Sequence, residues 1–149
     1  MKTILLFLSF FTLLSSCEND EVESNFQATE LIFTDVGRGH LSNNSLYTQE
    51  NIIIDNDADW QNLLSNFNSV NNNITDSFYE TSINLDSFTV VAVIDTKNSS
   101  TTVDITTITE NSSDVIVHIE NLQMGLSQDV ANPFHIVKMP KTTKDIVFE

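Results

Sequence analysis

Apolar residues along the chain follow a helical spacing in one segment and a strand-like spacing in most of the rest. The segment DNDADWQNLLSNF carries large apolar side chains at positions i, i+3, i+4 and i+7, namely Trp60, Leu63, Leu64 and Phe67. This spacing places them on one face of an α-helix. Polar residues at 55–57 can cap the first turn, and acidic residues there suit the positive end of the helix dipole.

Short β-branched or alternating segments on both sides of this helix predict strands. They are residues 31–36, 51–54, 87–95, 101–110, 115–120, 134–139 and 145–148. Glycine and polar turn formers predict loops at 37–45 and 121–133. A helix followed by strands with short connections predicts an α+β, β-rich fold, in which an antiparallel meander sheet carries one main helix on one face. The nearly continuous apolar segment 87–95 is expected at the centre of that sheet.

The first residues have the composition of an export signal. Lys2 is followed by about eleven almost entirely apolar residues at 4–14, a length typical of a secretory signal. A span across the bilayer needs about twenty apolar residues. Residues 1–16 are therefore predicted to be a removable leader.

The single cysteine of the chain directly follows this leader. Leu14-Ser15-Ser16-Cys17 resembles a bacterial lipobox, in which the cysteine is lipidated and becomes the first residue of the mature protein. More than one acyl chain is needed for stable anchoring in a membrane. The alternative is an ordinary leader followed by a spare thiol, which is unusual in a secreted protein.

Residues 17–29 begin with an acidic, polar stretch and are predicted to be a solvated tether that carries a single domain at residues 30–149. Acidic residues directly after a lipidated cysteine resemble the surface-export signal of Bacteroidota lipoproteins. These features predict a membrane-anchored lipoprotein of the outer membrane, on its periplasmic face or at the cell surface.

The charge of the chain restricts its partners. There are 21 acidic residues against 6 basic ones, which gives a formal net charge of −15. Affinity for nucleic acid comes mainly from Lys and Arg on phosphates, so no nucleic-acid partner is expected. The membrane contact is predicted to be made through the covalent lipid on Cys17.

Acidic residues at the start of the helix are a weak candidate for calcium. Asp55, Asp57 and Asp59 are spaced like the first ligands of an EF-hand loop. That loop also needs Gly at position 6 and Glu at position 12, where this chain has Trp60 and Asn66. The three acids therefore favour a helix N-terminus, with weak Ca²⁺ binding as an alternative. No other metal site and no cofactor are predicted.

No arrangement of residues in the sequence indicates catalysis. Ser127 lies in GLSQD, which lacks the second glycine of a nucleophile elbow. His118 and His135 are expected on polar or half-buried strand faces. Arg38 and His40, in the predicted loop 37–45, are the candidate contacts to a partner, because the guanidinium of Arg38 could bind a partner's carboxylate. The alternative for Arg38 is an ordinary loop charge.

Three stretches together resemble the PrcB family of bacterial lipoproteins. They are IIIDNDADWQNLL, FTVVAVID and NPFHIVKMPKTTKDIVF, the last being the most specific, and the resemblance covers about residues 31–149. The chain departs from the pattern at Ser99, Ser100 and Thr101, where related sequences carry a glycine-rich turn. The resemblance implies a non-enzymatic accessory protein that helps to stabilise an exported protease, and it brings no catalytic residues.

The expected function is therefore that of a lipid-anchored, extracytoplasmic interaction protein without catalysis, with an exported protease as a possible partner. A second hypothesis is a surface lipoprotein that binds or hydrolyses glycan or peptide ligands. It would require a cleft lined by Trp60, Tyr47 or Tyr79 together with paired acids. A weak Ca²⁺ binder is the third hypothesis.

Overall fold

A computed structural model describes residues 26–43 and 46–149 of the chain. Its elements in chain order are β1 (Thr29–Glu30), β2 (Thr34–Ser42), β3 (Glu50–Ile54), α1 (Asp57–Val70), a short 3₁₀ turn (Ile74–Ser77), β4 (Phe88–Ile94), β5 (Lys97–Asn98), β6 (Asp104–Glu110), β7 (Asp114–Glu120), β8 (Val130–Pro140) and β9 (Asp145–Phe148). The predicted α+β, β-rich class with one main helix is confirmed.

The strands divide between two sheets, where the sequence predicted one meander. One sheet has the order β2-β8-β4-β3, with β5 added on β8, and the other has the order β1-β6-β7-β9. All pairings are antiparallel except that of β7 with β9. The last strand therefore leaves the sheet of β8 and joins the other sheet.

The five-stranded sheet lies between α1 and the four-stranded sheet. Alternate residues of β4 belong to two separate apolar cores: Val90 and Ala92 face the helix, whereas Val91 and Val93 face the second sheet. A strand that is buried on both faces has apolar residues at nearly every position, which explains the composition of β4. The predicted central position of this strand is confirmed.

Helix α1 forms as its spacing predicts. Asn56 caps it, with its side-chain oxygen accepting the backbone N–H of Asp59 at 3.0 Å. Trp60, Leu63 and Phe67 are buried against the sheet. The Trp60 indole N–H donates to the backbone oxygen of Thr81 at 2.8 Å, which satisfies its one polar atom in the core.

Strand β2 runs through glycines that were predicted to form a loop. Gly37 and Gly39 lie inside β2, and the pairing register with β8 shifts between Asp35 and Gly37. The reason is close packing, because a Cβ on Gly37 would lie 2.7 Å from the ring of Phe78 and one on Gly39 would lie 3.2 Å from the ring of Phe134. The predicted loop at 37–45 was wrong for most of its length.

We expect Gly37→Val to destabilise the protein by about 2 kcal/mol, because the new side chain must displace the Phe78 ring from a packed core. Urea unfolding followed by tryptophan fluorescence measures the change. Gly39→Ala, which needs the Phe134 ring to move only a few tenths of an ångström, is the matched milder variant. Equal stability of Gly37→Val and the parent protein would contradict this packing argument.

The end of the predicted tether is attached to the domain. Thr29 pairs with Glu110 in β1, and the ammonium group of Lys144 lies 4.4 Å from the centre of the Phe26 ring. The predicted tether 17–29 thus overlaps the folded domain at its last residues. The leader 1–16, Cys17 and the acidic stretch after it lie outside the described residues.

Candidate interaction site

Arg38 and His40, the two predicted partner contacts, open onto one hollow. They lie two residues apart on β2 and therefore project from the same face of the strand. The opposite wall is the chain at Thr102 and Asp104 where it enters β6, and the hollow has a volume of about 180 Å³. Sites for small organic ligands usually measure about 300 Å³ or more, so this hollow has the size for a single side chain of a partner.

Two carboxylates bind the guanidinium of Arg38. Its Nη2 donates to Asp35 at 2.8 Å and its Nη1 donates to Asp104 at 3.2 Å. Asp104 belongs to the four-stranded sheet and Arg38 to the five-stranded sheet, so this ion pair joins the two sheets. With two acids on one cation, the cluster is negatively charged, which disfavours the predicted binding of a partner's carboxylate at Arg38.

His135 provides a second polar connection between the sheets. Its Nδ1 accepts the backbone N–H of Ile105 at 2.9 Å, so the neutral ring carries its proton on Nε2. Nε2–H then donates to the carboxylate of Asp35 at 3.0 Å. Arg38 Nη2 also lies 2.9 Å from Nε2, and since both nitrogens are donors, the shared carboxylate of Asp35 is what brings them together.

This environment keeps His135 neutral. The residue is 1% exposed, and burial lowers the pKa of His135 below its ordinary value of 6.5, assisted by the positive charge of Arg38, while Asp35 and Asp104 act in the opposite direction. Protonation of Nδ1 would also place its N–H against the backbone N–H of Ile105, so that two donors would face each other. The prediction that His135 lies on a polar or half-buried strand face was wrong. The same prediction is confirmed for His118, which is partly exposed.

Beside the hollow, residues 97–102 form a polar turn. This turn makes hydrogen bonds to a second segment, residues 121–129. His40 Nε2 lies 2.8 Å from the backbone oxygen of Thr101, and the hydroxyl oxygen of Thr101 accepts the N–H of Gly125 at 2.9 Å. The hydroxyl oxygen of Ser100 accepts the N–H of Ser127 at 3.2 Å. Residues of the turn thus bind the backbone of the segment 121–129.

The closeness of the two segments requires a glycine. A Cβ on Gly125 would lie 2.1 Å from the hydroxyl oxygen of Ser100. Ser99 adds a contact between its hydroxyl and that of Ser127, at 2.9 Å. Ser99, Ser100 and Thr101, at which the chain departs from the pattern that it resembles, are therefore among the residues that fix the segment 121–129. Asn98 and Thr102 also bind this segment.

The fixed segment presents three apolar side chains to solvent. Leu122, Met124 and Leu126 are 67%, 72% and 98% exposed, and they alternate with residues that face the turn. We call these three side chains the apolar row. Charged residues are absent from 121–128, although the chain as a whole is strongly acidic. Three exposed apolar side chains within one short segment make this surface a candidate for protein interaction.

The first part of the most specific stretch of the family resemblance, residues 132–137, is buried. Asn132, Phe134 and His135 are each at most 1% exposed. Asn132 donates to the hydroxyl of Thr96 at 2.9 Å, and the Phe134 ring meets the Phe67 ring edge-on at 4.9 Å between centroids. These residues therefore stabilise the fold, whereas residues 140–149 are exposed or partly exposed.

The remaining predicted site residues lie elsewhere. Asp55, Asp57 and Asp59 surround the start of α1 and do not form a group that could hold a metal ion, and none exists in residues 26–43 or 46–149. The rings of Trp60 and Tyr47 are largely buried and Tyr79 is exposed. Tyr47 lines a groove together with Glu50 and Asp59, and neither Trp60 nor Tyr79 lines that groove.

Comparisons with protein-family models, with curated proteins and with solved structures found no match to this chain. Among the described residues, no helix is long and apolar enough to cross a membrane.

Proposed function

We propose that the protein is a lipid-anchored, extracytoplasmic interaction protein that binds an exported partner through the apolar row and the neighbouring hollow. The observation that carries this proposal is a solvent-exposed apolar row whose backbone is fixed by hydrogen bonds from residues 97–102. The resemblance to the PrcB family favours an exported protease as the partner, with the bound protein acting as a stabilising subunit rather than as a catalyst.

Pre-formed geometry supports a binding role for the row. An exposed segment that is ordered before binding loses little conformational entropy when a partner covers it. Covering Leu122, Met124 and Leu126 removes apolar surface from water, at about 25 cal/mol per Å². The hollow at Arg38 and His40, which Val103 and Phe134 also line, adds a pocket with polar and apolar walls that can orient a side chain of the partner.

The described end of the proposed tether lies away from this surface. The tether enters the domain where Thr29 pairs with Glu110, at the last residue of β6. The apolar row follows β7, whose last residue pairs with Asp104 at the first residue of β6. A seven-residue strand is about 20 Å long, so a lipid anchor and a bound partner would occupy opposite ends of β6.

An anchor also raises the effective concentration of a partner at the same membrane. A modest affinity of the row would then suffice for stable association. This agrees with a small apolar surface of three side chains rather than an extensive interface.

We expect a Leu122→Ser/Met124→Ser/Leu126→Ser variant to recover at least about tenfold less partner than the parent protein, because it loses the apolar contact area. The measurement is quantitative mass spectrometry after mild cross-linking and detergent extraction of the producing cells. The supporting outcome is recovery of an exported protease with the parent protein. Thermal stability should be nearly unchanged, since the three side chains are exposed.

The matched control is Ile32→Ser/Tyr79→Ser, which removes exposed apolar surface at residues 88% and 71% exposed outside the row. It should recover the protease as well as the parent does. Recovery of the parent protein alone, or equal recovery by the row variant, would overturn the proposal.

A further inference from the structure

Strand β3 leaves one edge of the five-stranded sheet open. It pairs with β4 through Glu50–Ile54 and is last in the order β2-β8-β4-β3, so no described strand covers its outer edge. Alternate backbone N–H and C=O groups point outward along such an edge. Proteins usually protect edges with Lys, Pro or a bulge, and ENIII has no Lys or Pro and pairs in continuous register.

A groove follows this open edge. Three consecutive residues of β3, 52–54, line it together with one stripe of α1 that contains Asp59, Asn62, Leu63 and Asn66. Side chains of neighbouring strand residues point to opposite faces of a sheet. A groove on one face would contact alternate residues, so a groove lined by three consecutive residues runs along the backbone edge of the strand. Its volume of about 340 Å³ is large enough for several side chains.

The ionic character of the groove indicates its occupant. Among the described residues, Glu50 and Asp59 are the charged ones that line it, and no Lys or Arg does. The chain also carries a net charge of −15, so a second copy would be repelled and a basic segment attracted.

We propose that this edge and groove bind an extended partner segment with apolar and basic side chains, which adds a strand to β3. Main-chain hydrogen bonds to the open edge supply affinity, and alternate side chains supply specificity. Apolar side chains of the segment lie beside Ile52 and Leu63, and a basic side chain at its end meets Glu50. This inference depends neither on the lipid anchor nor on the apolar row, so it can fail while the proposed function stands.

The probe is the acetylated, amidated peptide Lys-Thr-Val-Thr-Val-Thr-Lys, which places two Lys and two Val on one face of a strand. Its binding to the protein is measured by NMR titration, and we expect saturable shifts confined to β3 and the facing side of α1. The peptide with Glu in place of both Lys should bind at least about tenfold more weakly, a difference of about 1.4 kcal/mol.

Backbone methylation tests strand addition directly. Alternate residues of a strand present their N–H groups to the same neighbour. One peptide is N-methylated at its second, fourth and sixth residues and another at its third and fifth. We expect one of the two to lose binding and the other to retain it.

Variants of the protein test the groove. Asn62→Trp fills it from an exposed helix position and should abolish binding. Gln61→Trp, at the adjacent exposed position that does not line this groove, should bind the peptide as the parent does. Glu50→Lys should reverse the preference between the basic and the acidic peptide.

Three results would overturn the inference. They are the absence of saturable binding, equal binding of both N-methylated peptides, and equal binding of the acidic peptide. Sedimentation of the unliganded protein as a dimer that Asn62→Trp dissociates would also overturn it, because the edge would then belong to a second copy of the chain.

Discussion

A Cys17→Ala variant is expected to leave the membrane fraction and to be recovered almost entirely in the soluble fraction. Each buried CH₂ of an acyl chain contributes about 0.8 kcal/mol to membrane affinity, so losing the acyl chains proposed for Cys17 would remove far more than any single surface contact could replace. The acidic body of the protein has no electrostatic attraction to anionic lipid that would compensate. The measurement is immunoblotting of pellet and supernatant after ultracentrifugation of broken cells.

The folded domain should be unaffected by this change, because the first described strand pairing is at Thr29, twelve residues after the cysteine. Equal thermal unfolding of the released variant and the detergent-extracted parent checks this. Ser16→Ala keeps a small residue before the cysteine and is the matched control, which should remain in the pellet with lipid attached. A Cys17→Ala protein that has been cut after Ser16 and still sediments with the membrane would contradict the anchor.

Local patterns were sufficient for the parts of the fold that depend on neighbours in sequence. Helix α1 could be predicted because its cap at Asn56 and its apolar stripe are within one short segment. The predicted loop at Gly37 and Gly39 was wrong because glycine favours a turn in a local pattern. Here each glycine lies in a strand and leaves space for an aromatic ring. Those rings, of Phe78 and Phe134, are 41 and 95 residues away in the chain, so their approach is set by tertiary packing.

The candidate site was predictable only in part, for the same physical reason. His135 shares a strand face with Val137 and Met139, both of which are fully buried, and this period of two was a usable signal for its burial. Its hydrogen-bond partners Asp35 and Ile105 belong to other strands and could not be identified from spacing. The apolar side chains of the row alternate with polar residues, as they would in a strand. Their spacing does not show whether another part of the protein covers them, because that depends on how the two sheets are arranged.

Replacement of His135 by Ala is expected to reduce the free energy of unfolding by about 4 kcal/mol. The change leaves the backbone N–H of Ile105 without its acceptor, which costs about 1–3 kcal/mol for a buried donor, and creates a cavity between the sheets. It also removes the N–H that Asp35 accepts. Single domains are stable by about 5–15 kcal/mol, so urea unfolding of the soluble Cys17→Ala protein should show a large shift in midpoint.

His135→Asn is the matched variant, because its side-chain oxygen can accept the N–H of Ile105 in place of Nδ1. It should therefore lose clearly less stability than His135→Ala. Equal losses in the two variants would show that filling the space, rather than accepting this hydrogen bond, is what His135 contributes.

The same residue predicts how stability depends on pH. The pKa of His135 in the folded protein lies below the ordinary value of 6.5, so between these two values the unfolded chain binds more protons than the folded one. The contribution of His135 is therefore complete above about pH 6.5 and decreases as the pH falls from 6.5 towards the lowered pKa, by at most about 1.4 kcal/mol per pH unit. Urea unfolding at intervals from pH 7.5 to pH 5 measures the slope. The slope should be smaller in His135→Asn. An unchanged slope would mean that other groups cause the acid sensitivity and that the ring of His135 is not held neutral by its burial and by the charge of Arg38.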